Sequence, residues 1–208
     1  MKSALIQNDG TRQVWTPKLL TDARTALIRG LKEYVEELSL IVPNRHEVAF
    51  RSVSEGVAEP EKMSAYPNAA VYGYGPGNYA WEDGELAPLV VDSPDSMPEN
   101  VGLLLPGEYT MDLAVEVWAT DPYERTVLTA MLERAFSPVE WMSGFRLVLP
   151  HYAGAHATFG MKSSDYTDDE PNVSRRYRRA LVLLEGRVPV VRFKKFDRLD
   201  PRAVTEVE

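Results

Sequence analysis

The stretch "YTMDLAVEVWATDPYERTVLTAMLERAF", Tyr109 to Phe136, decides the fold. Its first half alternates. Leu113, Val115 and Val117 stand between Ala114, Glu116 and Trp118, the two-residue period of a strand with one face on a core. Its second half changes period. Asp121 is placed to cap a helix, Pro122 suits the first helical turn, and Glu124 stands three residues after the cap. Leu128, Met131, Leu132 and Ala135 then recur at three- and four-residue steps, and "SPVEW" stops the helix. A strand thus passes directly into a capped amphipathic helix.

Upstream, "TPKLLTDARTALIRGLKEYVEELSL" predicts a second helix, with Thr16 as cap and Pro17 in its first turn. Leu20, Ala23, Leu27, Leu31, Tyr34, Val35 and Leu38 form its apolar stripe, Gly30 marks a close approach, and Pro43 ends the helix or follows its end. "EVAFRSVS", Glu47 to Ser54, and "AAVYGYG" read as strands, the latter with tyrosines on alternate positions. Downstream, "GFRLVLP", "HATFGMKSS" and "RRALVLLEGRVPVVRF" give three more strands, the last bulged or at an edge because Pro189 cannot donate to a ladder. Strand–helix alternation does not repeat. The expected class is therefore α+β: one domain over 1–208, with two helices on a mostly antiparallel sheet. Residues 55–108, crowded with Gly, Pro, Asp and Asn, are expected as an extended insertion with one hairpin, and 193–208 as a polar tail.

The 208 residues, 44% hydrophobic and 26% charged, suit a folded domain. Zero cysteines exclude disulfides, cysteine-held zinc or iron–sulfur clusters and a thiol nucleophile. The N-terminus turns polar too soon for a signal peptide, and no run of about 18 apolar residues predicts a membrane span. A soluble protein made in a cytoplasm is expected. The net charge of −8 argues against general nucleic-acid binding.

Motifs for chemistry are weak. His151 and His156 lie five residues apart in "LPHYAGAHATFGM", with His46 remote and no H-E-x-x-H or H-x-H spacing for a metal. They read as polar surface residues; a small hydrolase using either histidine with a carboxylate is the competing reading. "YGYGPGN" lacks the Lys and following helix of a phosphate-binding loop, and no serine stands in G-x-S-x-G. "DYTDDE" lacks the central Gly of a calcium loop. No cofactor and no metal are expected, and the chain reads as a non-enzyme.

Two other features point to assembly. No Lys or Arg occurs from Met63 to Glu124, where acids recur, while the C-terminal part is rich in Arg and Lys, including "RRYRR". Either the fold joins the two regions on one mixed surface, or one copy's acidic region meets another's basic one. On the second view Arg175, Arg176, Arg178 and Arg179 contact acidic neighbours. Tyr72, Tyr74, Tyr79 and Trp81 stand in a loop-like segment, and such residues are enriched where proteins meet. Either they reach a partner or they cover the domain's own core.

The run from Tyr109 to Arg192 resembles the tail terminator (tail completion) family of neck proteins in long-tailed bacteriophages. The likeness rests on "VWATD", then D-x-x-E opening a helix, "FRLVLPHY", the A-x-x-x-F of "AHATF", an acidic loop into "RRYRRA", and a final apolar strand. It implies a virion protein, assembled in the host cytoplasm, that caps the tail tube as a hexameric ring. Its implied partners are further copies, the tail tube, sheath protein and the head connector, with genomic DNA passing through the lumen. The long 55–108 region departs from the family's compact form, leaving another neck, sheath-contacting or baseplate subunit as alternatives. A monomeric adaptor is a third class.

Overall fold

The computed structural model describes residues 22–41, 47–57, 65–81, 87–89, 100–152, 154–166 and 178–195. Among these residues the class is α+β, with two helices and a mostly antiparallel sheet. Helix α1 spans Ala23–Glu37, followed by β1 Ser39–Ile41, β2 Glu47–Ala49, β3 Ser52–Glu55, β4 Asn68–Gly73, β5 Asn78–Trp81 and β6 Ala87–Leu89. Then come β7 Asn100–Ala119, α2 Pro122–Ala135, β8 Phe145–Leu149, β9 Ala155–Tyr166 and β10 Arg178–Lys195. The main sheet runs β3-β4-β7-β10-β9-β8, with β5 and β6 also paired to β7. Only β3 and β4 run parallel among its described pairs.

The decisive stretch folds as its pattern dictates. Leu113, Val115 and Val117 are fully buried and share one apolar core with Leu128 and Leu132 of α2 and Leu27 and Leu31 of α1. Ala114, Glu116 and Trp118 between them are buried outside that core, on the opposite face. Asp121 caps α2 by accepting from the Tyr123 N–H at 2.8 Å. The sequence pattern did not flag Arg125 and Thr129, which α2 also buries; Thr129 satisfies its hydroxyl by donating to the Arg125 carbonyl at 2.8 Å.

Several expectations change. The cap of α1 is Asp22 rather than Thr16, which lies outside the described residues together with Pro17 and Leu20. The Asp22 carboxylate accepts from the Thr25 N–H at 2.9 Å and the Arg24 N–H at 3.3 Å. Pro43 is also outside them, but α1 ends at Glu37. Gly30 does mark a close approach, because a side chain there would collide with Leu149. "EVAFRSVS" is two strands in two sheets: β2 pairs with β1, whereas β3 turns onto β4 after Phe50 buries itself. The break at Phe50–Arg51 is fixed by the Arg51 N–H donating to the Pro67 carbonyl at 2.8 Å.

The largest change concerns 55–108. Its residues 68–73 are β4, which pairs with β7 on one edge and β3 on the other, and Ala69, Ala70 and Val71 are fully buried. That part belongs to the sheet. Further on, β5 and β6 pair along the first half of β7, so these described parts of the segment also extend the sheet. Likewise β10 continues through 193–195, opposite Gly102–Asn100, into what was expected as a polar tail. Residues 196–208 lie outside the described ones. Pro189 sits at a register shift between Pro189 and Val191, as its missing donor requires. The freed Val191 N–H donates instead to the buried Tyr152 hydroxyl at 3.0 Å.

Candidate functional site: an interaction surface

Because β7 and β10 are antiparallel neighbours, the acidic and basic regions of the sequence meet on one surface. Asp112 and Glu185 stand directly opposite each other, a repulsive pair. Lys162, at the bulge of β9, neutralises it, with its ammonium 2.6 Å from Asp112 and 3.8 Å from Glu185. Arg187 closes on Glu185 from its own strand. The hydrogen bond to Asp112 raises the Lys162 pKa, and that to Glu185 raises the Arg187 pKa. For these strands the charge blocks become one mixed face.

Arg179 follows the same rule. Its guanidinium pairs with Glu116, a carboxylate only 2% exposed, and lies 5.7 Å from the Trp118 ring centre. The Tyr72 hydroxyl accepts from Arg179; burial, and then the Glu116 charge, push its phenol pKa up despite that opposing cation. So Arg179 has an acidic partner within its own chain. Arg178 opens β10 opposite Ala119, while Arg175 and Arg176 lie outside the described residues.

The tyrosine-rich segment divides between the faces. Tyr72 and Tyr74 follow Ala70 on the side that carries Glu116, with the Tyr74 N–H donating to the Asp112 carbonyl at 2.8 Å. Tyr79 and Trp81 project from the other side, where Tyr79 is opposite Tyr109 and Trp81 is opposite Gly107. Their rings lie 9° apart in plane with centres at 6.0 Å, and Tyr79 also packs on Tyr109 at 4.7 Å. Gly107 has to lack a side chain here, since a Cβ would stand 2.7 Å from the Trp81 indole. All four β5 residues are exposed, Trp81 by 61%. The ridge covers little of the core.

A second exposed apolar set escaped the sequence reading. In the connection from α2 to β8, Val139, Trp141 and Met142 are all exposed, Met142 by 93%. Trp141 and Met142 border an open cavity of about 290 Å³ lined also by Phe136, Gly144, Thr158 and Met161 and by the Glu185–Arg187 pair. The signal was available: "SPVEWMSG" follows a helix stop yet carries large apolar residues.

The histidines do not converge. His156 is exposed on β9, while His151 lies 3.4 Å from Glu33 beside a crevice of about 10 Å³, room for one water at most. His46 lies outside the described residues. Among the described residues no three His, Asp or Glu side chains form a metal-holding group, and no helix is long and apolar enough to cross a membrane.

The chain matches no protein-family model and no curated protein. Among solved structures it is similar to a chain of the virion of a native gene transfer agent (GTA) particle, with a TM-score of 0.37 and 15% identity over 67% of this chain and 79% of that one.

Proposed function

We propose that this protein is a non-enzymatic structural subunit of a phage tail neck that caps the tail tube as a hexameric ring and offers a surface for head–tail joining. The observation that carries the reading is the set of large exposed apolar side chains at separate places on a sheet framework: Tyr79 and Trp81 on β5, Val139, Trp141 and Met142 before β8. Isolated exposed apolar residues are ordinary, but aromatic groups supported by neighbouring rings are what contacts between subunits use. The sequence likeness supports it further, because its run supplies β7, α2, β8, β9 and β10, the frame of the sheet. Ring subunits need two different surfaces, one for each neighbour. In this role Arg175, Arg176 and Arg178 face acidic groups of neighbours, Arg179 serves its own Glu116, and the parts of 55–108 beyond β4 reach a partner.

Native mass and negative-stain images of the purified protein, alone and with tail tubes, test the proposal. Rings, or a cap on tube ends, are expected. A 23.4 kDa monomer at all concentrations that leaves tubes bare rejects it. Paired charge reversal at Arg175 and Arg176 is expected to weaken assembly most at low salt.

A further inference from the structure

We infer that the Tyr79–Trp81 ridge of one subunit seats against the Trp141–Met142 loop and its cavity on a second copy of this chain. The inference deepens the ring role and rests on it, but names the surfaces that would meet.

The first argument is position. β5 lies on the side of β7 away from β10, whereas the cavity borders β9 and β10 next to the end of β8. The two exposed sets are thus on opposite sides of the β7–β10 pair, where contacts that repeat from copy to copy in one direction have to be.

The second is shape. The ridge is a pair of nearly parallel rings standing off a strand, and Trp81 already covers Gly107 with one side. The loop borders a hollow of about 290 Å³ whose lining includes Phe136 and Met161. Ridge on ridge fills no space and loop on loop leaves the hollow empty. Ridge in hollow buries both. Aromatic anchors filling pockets are the usual centres of binding energy.

The third is charge. Trp81 is followed directly by "EDGE", so Glu82, Asp83 and Glu85 are tethered within a few residues of the ridge, about 3.5 Å of reach for each. Thr158 and Arg187 line the cavity together with Glu185, and Arg146 stands opposite Thr158 on the neighbouring β8. Lys162, outside the lining, pairs with the lining carboxylate Glu185 and with Asp112. Arg187 and Lys162 are engaged by those carboxylates, which leaves Arg146, exposed on β8, to meet an incoming acid. The acids that follow the ridge in sequence and the exposed Arg146 beside the hollow complement each other, and two copies of the acidic run repel.

The absence of cysteine makes the test clean. A Tyr79→Cys protein is mixed with a mass-tagged Ser143→Cys protein and treated with a short thiol-reactive cross-linker, with and without tail tubes. The expected product is the mixed 79–143 dimer in excess over both like-with-like dimers, and a ladder of larger species from the double variant. Adding Trp81→Ala should cut the yield about ten-fold or more, as loss of a central aromatic anchor does. Arg146→Glu should cut it at low salt and less at high salt. Like-with-like dimers in excess, or no cross-link at all, overturns the contact. If rings or tube caps still form without the 79–143 product, the neck role stands and other surfaces build it. If the product forms while tubes stay bare, the contact stands and the neck role falls.

Discussion

β4 and β5 are separated by four residues, both pair with β7, and both come from the same aromatic, glycine-rich segment, yet they live in different surroundings. β4 is buried from Asn68 to Val71, and β5 is exposed at all four positions. The difference is where along β7 each one docks. β4 meets Leu113–Trp118, the stretch whose apolar face shares a core with both helices, and β3 shields its outer edge. β5 meets Gly107–Thr110, and no strand is paired to its outer edge among the described residues. Composition follows position. β4 uses alanines at 69 and 70, which let neighbours approach, whereas β5 carries a tyrosine and a tryptophan that rest on each other and on Tyr109. One segment therefore has a load of stability in its first strand and a surface in its second.

Equal substitutions in the two strands put this contrast at greatest risk. Val71→Asp places a carboxylate where no water and no cation reach, a cost of several kcal/mol that approaches the whole stability of a domain. Trp81→Asp places the same charge in solvent, and its effect should stay within about 0.5 kcal/mol. Urea titration followed by circular dichroism checks both. A soluble, cooperatively unfolding Val71→Asp protein, or a Trp81→Asp protein as damaged as it, removes the distinction between the strands.

A middle-sized effect is expected on the far side of β4, where Glu116 and Arg179 meet beneath Tyr72. Glu116→Ala leaves the Arg179 cation without its buried partner, and losing one member of such a pair costs about 3–5 kcal/mol when both are fully enclosed. Arg179 is 22% exposed, so water recovers part of that, and about 2 kcal/mol is the expectation. The double change Glu116→Leu with Arg179→Met should recover most of the loss, since apolar replacement of a buried pair is often neutral. If the double variant is no better than Glu116→Ala, the pair is not the unit that matters. If assembly rather than stability changes in the double variant, Arg179 faces a neighbour as well as Glu116.

How much of this was legible follows from the range of each interaction. The Tyr109–Phe136 stretch could be read almost completely, because alternation, cap and helical stripe are local and all agree. The bulge at Pro189 was legible for the same reason: a missing N–H is a property of the residue. What could not be read is what depends on pairing. "AAVYGYG" reads as a strand, but nothing in it says that it lies between β3 and β7, so that strand was placed within an insertion rather than in the sheet. The charge blocks misled in the same way. Far apart in sequence, Asp112, Glu116 and Glu185 share a surface with Lys162 and Arg179 because β7, β10 and β9 are neighbours. The aromatic segment stood out in the sequence but could not be divided between faces without the register. The Trp141–Met142 loop was passed over because a helix stop drew attention to the backbone rather than to the side chains that follow.

The smallest effect concerns what shields β4 on its core side, namely α1. Ala26, Leu27 and Leu31 of that helix share the core with Ala69 and Val71, and the helix begins on the cap made by Asp22. Burial raises the Asp22 pKa, but the Thr25 hydroxyl and the Thr25 and Arg24 N–H groups donate to the carboxylate and outweigh it, holding it below the ordinary range. A group whose pKa is lower folded than unfolded adds stability above the unfolded value, near 4, and loses it as pH falls through the folded one. Asp22→Ala should therefore cost about 1 kcal/mol at neutral pH and progressively less as pH falls below about 4 and on through the lower folded value, where the wild-type cap is itself protonated. Asp22→Asn keeps an acceptor without a titrating group, so it should lie between the two at pH 7 and lack the acid-dependent part. The strand contrast adds the sharper reading. Fraying the first turn of α1 should raise amide exchange in β4, at Val71 above all, and leave β5 as it was, because α1 touches β4 and has no extended contact with β5. Equal acceleration in both strands would mean that the segment opens as one unit, and that the boundary between its buried and exposed halves is not energetic.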